Sequence, residues 1–239
     1  MPARETVKEI IMDEHNHLKN LTGKTAIVTG GGSGIGKAIA TALIREGVHV
    51  VVASRRAPPV EHALSIACDV RKKADVVNVA ETARERFGSI DILVNNTGLG
   101  VQSRIADCTE EEWALVLDTN LTGTFLMTQA VLPAMMAQRS GYIINIASQA
   151  AKHGYPQAGP YCASKFGILG LSEALQQEVR DSNIHVHCLC PGLVQVPPPR
   201  HKTEIRPGVL QVEDLAAAAL FLLKQPDRVN LENIGLYHF

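Results

Sequence analysis

The chain has 239 residues, of which 46% are hydrophobic and 20% charged, with a formal net charge of −1. That composition belongs to an ordinary globular protein and excludes a disordered chain, a collagen or a disulfide-stapled miniprotein. Near-balanced charge argues against a dedicated nucleic-acid binder, and no run approaches the roughly 18 apolar residues that span a bilayer.

Strand-like apolar runs alternate with helical patterns along the chain. Lys24–Thr29 reads as a strand, and Ile35–Glu46 as a helix with Ile35, Ile39 and Leu43 on one face. Val48–Ala53 is the next strand, Ala74–Phe87 a helix and Ile90–Val94 a strand. Thr109–Ala137 is one long helical pattern, opened by Thr109 and Glu112 as a capping box. Tyr142–Ala147 reads as a strand, Tyr161–Arg180 as a helix, Ile184–Leu189 as a strand and Val212–Leu223 as the last clear helix. Such alternation implies parallel strands joined by crossover helices. Near-continuous apolar strands imply a sheet covered on both faces. The expectation is a single-domain, doubly wound α/β fold with its ligand beyond the carboxyl ends of the strands.

The cysteines at 68, 108, 162, 188 and 190 form no CxxC pair and no zinc-spaced cluster, so reduced thiols in a cytosol-like compartment are expected. The first twenty residues lack a signal-peptide core, and their acidic residues argue against a transit peptide. Cytoplasmic placement follows as an expectation. His185 and His187 share one face of their strand but have no evident third ligand. They, His15, His17 and Trp113 are read as structural.

Residues 29–36 are TGGGSGIG, set directly between the first strand and the first helix. Gly30, Gly34 and Gly36 suit positive φ, close backbone approach and tight helix packing. Ser33, Gly34, Ile35 and Gly36 open the helix, whose unpaired N–H groups suit a pyrophosphate. A plain structural turn is the weaker reading. The Gly-x3-Gly-x-Gly spacing resembles that of short-chain dehydrogenases/reductases, and later motifs extend the resemblance over about residues 21–192. The branch it is most similar to includes 3-oxoacyl-carrier-protein reductases and carbonyl reductases.

An acid after strand two would take the ribose 2′-hydroxyl of NAD, whereas a basic residue accommodates the 2′-phosphate of NADP. Ser54, Arg55 and Arg56 stand there, so NADP(H) is expected ahead of NAD(H), with Arg55 foremost, Ser54 as hydroxyl donor and Lys37 as a second cation. Asp69 and Val70 resemble the family's adenine-contacting segment, and Asn95, Asn96, Thr97 and Gly98 its ribose-facing turn, with Thr97 in place of the usual alanine. Pro191, Gly192 and Val194 resemble the segment that holds the nicotinamide amide.

Tyr161 and Lys165 lie at i, i+4, which places a phenol and an ammonium on one helix face. A neighbouring cation lowers a phenol toward a working acid/base range. The pair alone is weak evidence, but Ser148 precedes it just past strand five, and Asn120 lies inside the long helix. The resemblance implies a catalytic tetrad of Asn120, Ser148, Tyr161 and Lys165. It implies hydride transfer between nicotinamide and a small-molecule carbonyl or secondary alcohol. Tyr161 is then the acid/base, Ser148 the oxyanion donor, and Asn120 the holder of a relay water beside Lys165. It also implies a homodimer or homotetramer, while charge balance, apolar run length and the lack of a third ligand beside His185 and His187 give no expectation of nucleic acid, membrane or metal. An NADP-binding regulatory or scaffold protein with little turnover is the alternative. Sugar-nucleotide epimerase relatives are disfavoured because they are longer and two-lobed.

Three departures stand out. Val196 replaces the threonine expected near the nicotinamide, a loss of about 1 kcal/mol of hydrogen bonding. The lid from Gly192 to Val212 is short, with Pro197, Pro198 and Pro199 followed by Arg200, His201 and Lys202. A solvated loop is its plainer reading, an anion-greeting cluster the sharper one. Only Arg56–His62 separate strands two and three, too few for the usual helix, which is expected to be missing or vestigial. Residues 1–20 are expected as an extension, with Val7, Ile10 and Ile11 on a short amphipathic helix, and 21–239 as the cofactor-binding domain.

Overall fold

The computed structural model describes residues 18–196, 206 and 208–238. Expectations for residues 1–17, and for the Pro197–Lys202 cluster of the lid, lie outside the described residues. The elements in chain order are β1 (Thr25–Thr29), α1 (Gly34–Arg45), β2 (His49–Ser54), β3 (Ala63–Ala67), α2 (Lys73–Phe87) and β4 (Ile92–Asn95). Then come α3 (Glu110–Leu117), a π turn (Asp118–Thr122), α4 (Gly123–Gln138), β5 (Gly141–Ile146) and α5 (Gly159–Val179). They are followed by β6 (Ile184–Pro191), β7 (Val194–Gln195), β8 (Leu210–Gln211), α6 (Val212–Leu223) and β9 (Asn233–Leu236).

Among the described residues, seven strands form one parallel sheet in the order β3-β2-β1-β4-β5-β6-β9. The order reverses between β1 and β4, and that switch point is where a doubly wound sheet opens a crevice. Side chains alternate between two cores, as a period of two requires. Ala26, Val28, Val50, Val52, Ile92 and Val94 face α1 and α6. Ile27, Val51, Leu93 and Ile143 face α2, α4 and α5. No helix among the described residues is long and apolar enough to cross a membrane.

The helix expected to be missing between β2 and β3 is absent. Residues 55–62 instead run back along the sheet as an irregular strap. At roughly 3.3 Å per residue an extended strap of this length spans the five-residue strand it must retrace. Val60 is buried at 7% exposure in the α1-side core, and the Ser65 hydroxyl donates to Pro58 O at 2.9 Å. Ala57 (φ 40°) and His62 (φ 61°) adopt left-handed backbone, which tightens both ends of the strap.

The capping box at Thr109 is formed: Glu112 N–H donates to Thr109 Oγ1 at 3.1 Å, and Thr109 N–H to Glu112 Oε2 at 3.2 Å. The pattern expected as one helix is broken by the π turn, which carries Asn120. The short strands β7, β8 and β9 are additional to the expected elements. Tyr142, His185 and His187 form one cluster of near-parallel rings, with centroids 5.1 Å (Tyr142–His185), 6.2 Å (His185–His187) and 6.4 Å (Tyr142–His187) apart. All five cysteines are free, and all but Cys108 are buried.

Candidate active site

The carboxyl ends of the strands border one cleft of about 1050 Å³. At the switch point, Thr29 Oγ1 accepts from the N–H groups of Asn96 (3.0 Å) and Thr97 (3.1 Å), tying the ends of β1 and β4 together. Gly34 has φ +52° and Gly30 φ +65°, conformations that glycine adopts freely. At Gly36 the constraint is space. A Cβ there would lie 2.4 Å from Asn96 Nδ2 and 2.5 Å from Gly30 O. Ser33 makes no capping hydrogen bond, so the first-turn N–H groups of α1 keep their capacity to bind.

Gly30, Ser33, Gly34, Ile35, Asn96 and Gly98 line the cleft at this end, while Gly36 sits behind them. Asn96 turns its amide inward, to Thr29 O at 3.1 Å, and braces the glycine turn. Ser54, Arg55 and Arg56 line the same wall, with Asp69 and Val70 beside them at the end of the paired strand β3. Asp69 is gripped by Arg71, with Nε at 2.9 Å from Oδ1 and Nη2 at 2.6 Å from Oδ2. The arginine holds this carboxyl down at about 2. Lys37 is exposed on α1 and does not line the cleft, so it is not placed as a second cation.

At the other end Ser148, Tyr161, Lys165, Pro191, Gly192 and Val194 line the cleft. Ser148 caps a short 3-10 turn by accepting from Ala150 N–H at 3.1 Å. Lys165 is 4% exposed and donates to Ile146 O at 2.8 Å, with its ammonium 5.6 Å from the Tyr161 ring centroid. Desolvation brings Lys165 down to about 8. Burial pushes the Tyr161 phenol up, partly offset by a hydrogen bond from Ser148. The sequence expectation of a phenol lowered by its lysine is therefore corrected. In this state the desolvation of the phenol outweighs the Ser148 hydrogen bond, and the Lys165 ammonium is occupied at Ile146 O.

Asn120 is buried behind the cleft rather than on its wall. Its Nδ2 donates to Leu99 O (2.8 Å) and Ser164 Oγ (2.9 Å), and its Oδ1 accepts from Leu99 N–H (2.9 Å). The side chain is thus fully engaged in bracing the loop after β4 against α5. The Asn120 backbone carbonyl accepts from Thr124 Oγ1 at 2.7 Å and keeps a second lone pair. Val196 leans across the cleft mouth; a Cβ on Gly34 would lie 2.9 Å from its Cγ1.

Asn95 stands in the ribose-facing motif of the sequence, but its part in the support beneath the site, with Asn145 and Ser172, did not follow from it. Asn95 Nδ2 donates to Asn145 Oδ1 (2.9 Å), and Asn145 Nδ2 to Ser172 Oγ (2.8 Å). Polar residues inside apolar strands, Asn95 in ILVN and Asn145 in GYIINI, were the available signal.

The family model described as short chain dehydrogenase matches residues 24–205. An uncharacterized oxidoreductase of Staphylococcus aureus (strain USA300) is 34% identical over 223 residues, covering 90% of this chain and 96% of the relative. An uncharacterized oxidoreductase of Staphylococcus saprophyticus is 35% identical over 229 residues, covering 90% and 97%. With its parallel sheet, glycine turn and cleft-lining tyrosine and lysine, the chain belongs to the short-chain dehydrogenase family of oxidoreductases.

Proposed function

We propose that the protein is an NADP(H)-dependent oxidoreductase that interconverts a carbonyl and a secondary alcohol, with Tyr161 as the general acid/base. The observation that carries this reading is the shared cleft: Ser148, Tyr161 and Lys165 line one end, the glycine turn and Arg55 the other. The residues suit a dinucleotide. Gly30 and Gly34 offer backbone without side chains, and the first turn of α1 lacks a side-chain cap. Arg55 and Arg56 favour a 2′-phosphate, because no carboxylate stands at the end of β2.

Bound nicotinamide supplies or accepts the hydride. The Tyr161 phenol delivers its proton to the carbonyl oxygen in reduction. Its raised value suits it to hold that proton at neutral pH. The Ser148 hydroxyl, beside Tyr161, turns its single proton to the same developing oxyanion. The Lys165 ammonium lies near enough to stabilise the phenolate left behind and to hold the nicotinamide ribose. Asn120 acts through Leu99 and Ser164 as a positioning residue.

A homo-oligomer accords with the exposed Trp113, Leu115, Phe125 and Phe166 on α3, α4 and α5. Cytoplasmic placement accords with the free cysteines.

The test is oxidation of NADPH against a panel of diketones, aldehydes and acetoacetyl esters. Turnover with one class, faster with NADPH than with NADH, supports the reading. NADPH binding without turnover of any member favours the regulatory alternative.

A further inference from the structure

The strap that replaces the missing crossover helix does more than connect two strands. Pro58 lies directly on the glycine turn: a Cβ at Gly32 would be 2.4 Å from Pro58 Cγ and 2.9 Å from its Cδ. The same hypothetical atom would lie 3.3 Å from Ser54 Oγ. Gly32, Ser54, Arg55, Arg56 and Pro58 all line one end of the cleft. The Ser54 hydroxyl is inaccessible to solvent and has no hydrogen-bond partner among the described residues. Native proteins rarely leave a buried hydroxyl unpaired, and an orphan beside a binding wall marks a group held for a ligand.

We propose that Pro58 is a specificity-determining residue for the ribose 2′ substituent of the cofactor. Seated on Gly32, it closes the wall over Ser54, and a 2′-phosphate reaches that hydroxyl only by displacing it. The inference rests on the nicotinamide reading above and deepens it. A phosphate oxygen accepts from the Ser54 hydroxyl and draws Arg55 and Arg56 to the same point. A bare 2′-hydroxyl has no charge with which to recruit the guanidiniums, so it leaves the strap seated. Ala57, next to Pro58, holds a left-handed backbone at φ 40°, and its N–H is bonded to Ser54 O at 3.1 Å. Displacement of Pro58 can therefore turn at Ala57. The Ser65 hydroxyl anchors the Pro58 carbonyl at 2.9 Å and Val60 beyond it is buried, so it is the proline ring that swings aside about its own anchored carbonyl. The movement required is local.

The experiment measures NADPH and NADH affinities by calorimetry for wild type, Pro58→Ala, Ser54→Ala and the double variant. Pro58→Ala should tighten NADPH by about tenfold relative to NADH, the value of one charge-assisted hydrogen bond no longer opposed. Adding Ser54→Ala should remove that gain. An equal shift for both cofactors, no shift, or a gain that persists in the double variant overturns the proposal. If Pro58→Ala does not fold, Pro58→Ser takes its place and is read by the same outcomes, alone and combined with Ser54→Ala. Wild type with no preference for NADPH would refute the cofactor reading by itself. The proposal then stands only if Pro58→Ala creates a preference, and falls if it does not.

Discussion

The Asn120 amide and the Leu99 backbone hold each other at both ends, Nδ2 to O at 2.8 Å and N–H to Oδ1 at 2.9 Å. The π turn aims Asn120 at the loop after β4, where a regular α-helix would carry the residue to a different angle. Asn120→Ala strips partners from the Leu99 N–H and C=O and from Ser164. The expected loss is about 2 kcal/mol of stability, read from urea unfolding. Asn120→Asp should recover only part, because a carboxylate oxygen would face Leu99 O. An unchanged urea midpoint for Asn120→Ala would show that the brace carries no weight.

Lys165 should cost stability where it serves the site. Its folded value is about 8, against an ordinary 10.5. The unfolded chain therefore binds the proton more tightly. The penalty is fully present below about 8 and fades as pH rises toward 10.5, with a ceiling of about 3 kcal/mol. Lys165→Met should be more stable than wild type at neutral pH, by about 2 kcal/mol after loss of the Ile146 hydrogen bond. That advantage should vanish by chemical denaturation near pH 10. A variant less stable than wild type at neutral pH would contradict this.

His187 sets the acid limit. Burial holds it at about 4, below the ordinary 6.5, with its Nδ1 fixed to Leu231 O at 2.8 Å. Above 6.5 the ring is neutral in both states and has no effect. As pH falls from 6.5 to 4 the unfolded chain takes up a proton that the folded one refuses, and stability drops by about 3 kcal/mol. His187→Gln should flatten the decline in melting temperature over that window. An identical decline in the variant would assign the acid sensitivity elsewhere.

The cleft-lining motifs and the sheet were legible because each rests on local spacing. Apolar runs mark β1, β2 and β4, Thr109 and Glu112 mark the start of α3, and the i, i+4 step of Tyr161 and Lys165 places both on one helix. The shortness of the β2–β3 connection was a matter of counting. What lay beyond reach depends on tertiary context. Strand β9, with the sequence NIGL, is half-buried at the sheet edge and carries Asn and Gly, so nothing local distinguishes it from a loop. The π turn at Asn120 shares the apolar period of its flanking helices. The raised phenol of Tyr161 reflects burial outweighing its hydrogen bond from Ser148, a balance that no spacing reveals.

Arg55 carries the expected preference for a phosphorylated cofactor. Arg55→Ala should raise the Michaelis constant for NADPH by about tenfold and leave that for NADH unchanged. Equal effects on both would remove Arg55 from the recognition of the 2′-phosphate.

The most direct test replaces the phenol. Tyr161→Phe keeps the ring against Gly100, whose Cβ position lies 3.4 Å from Tyr161 Cδ2, and removes only the hydroxyl. With a substrate found in the carbonyl panel, calorimetry and steady-state turnover are measured on the same preparation. The account expects NADPH binding within about twofold of wild type and turnover lowered by about three orders of magnitude or more. Turnover near the wild-type rate in a protein that still binds NADPH would contradict it.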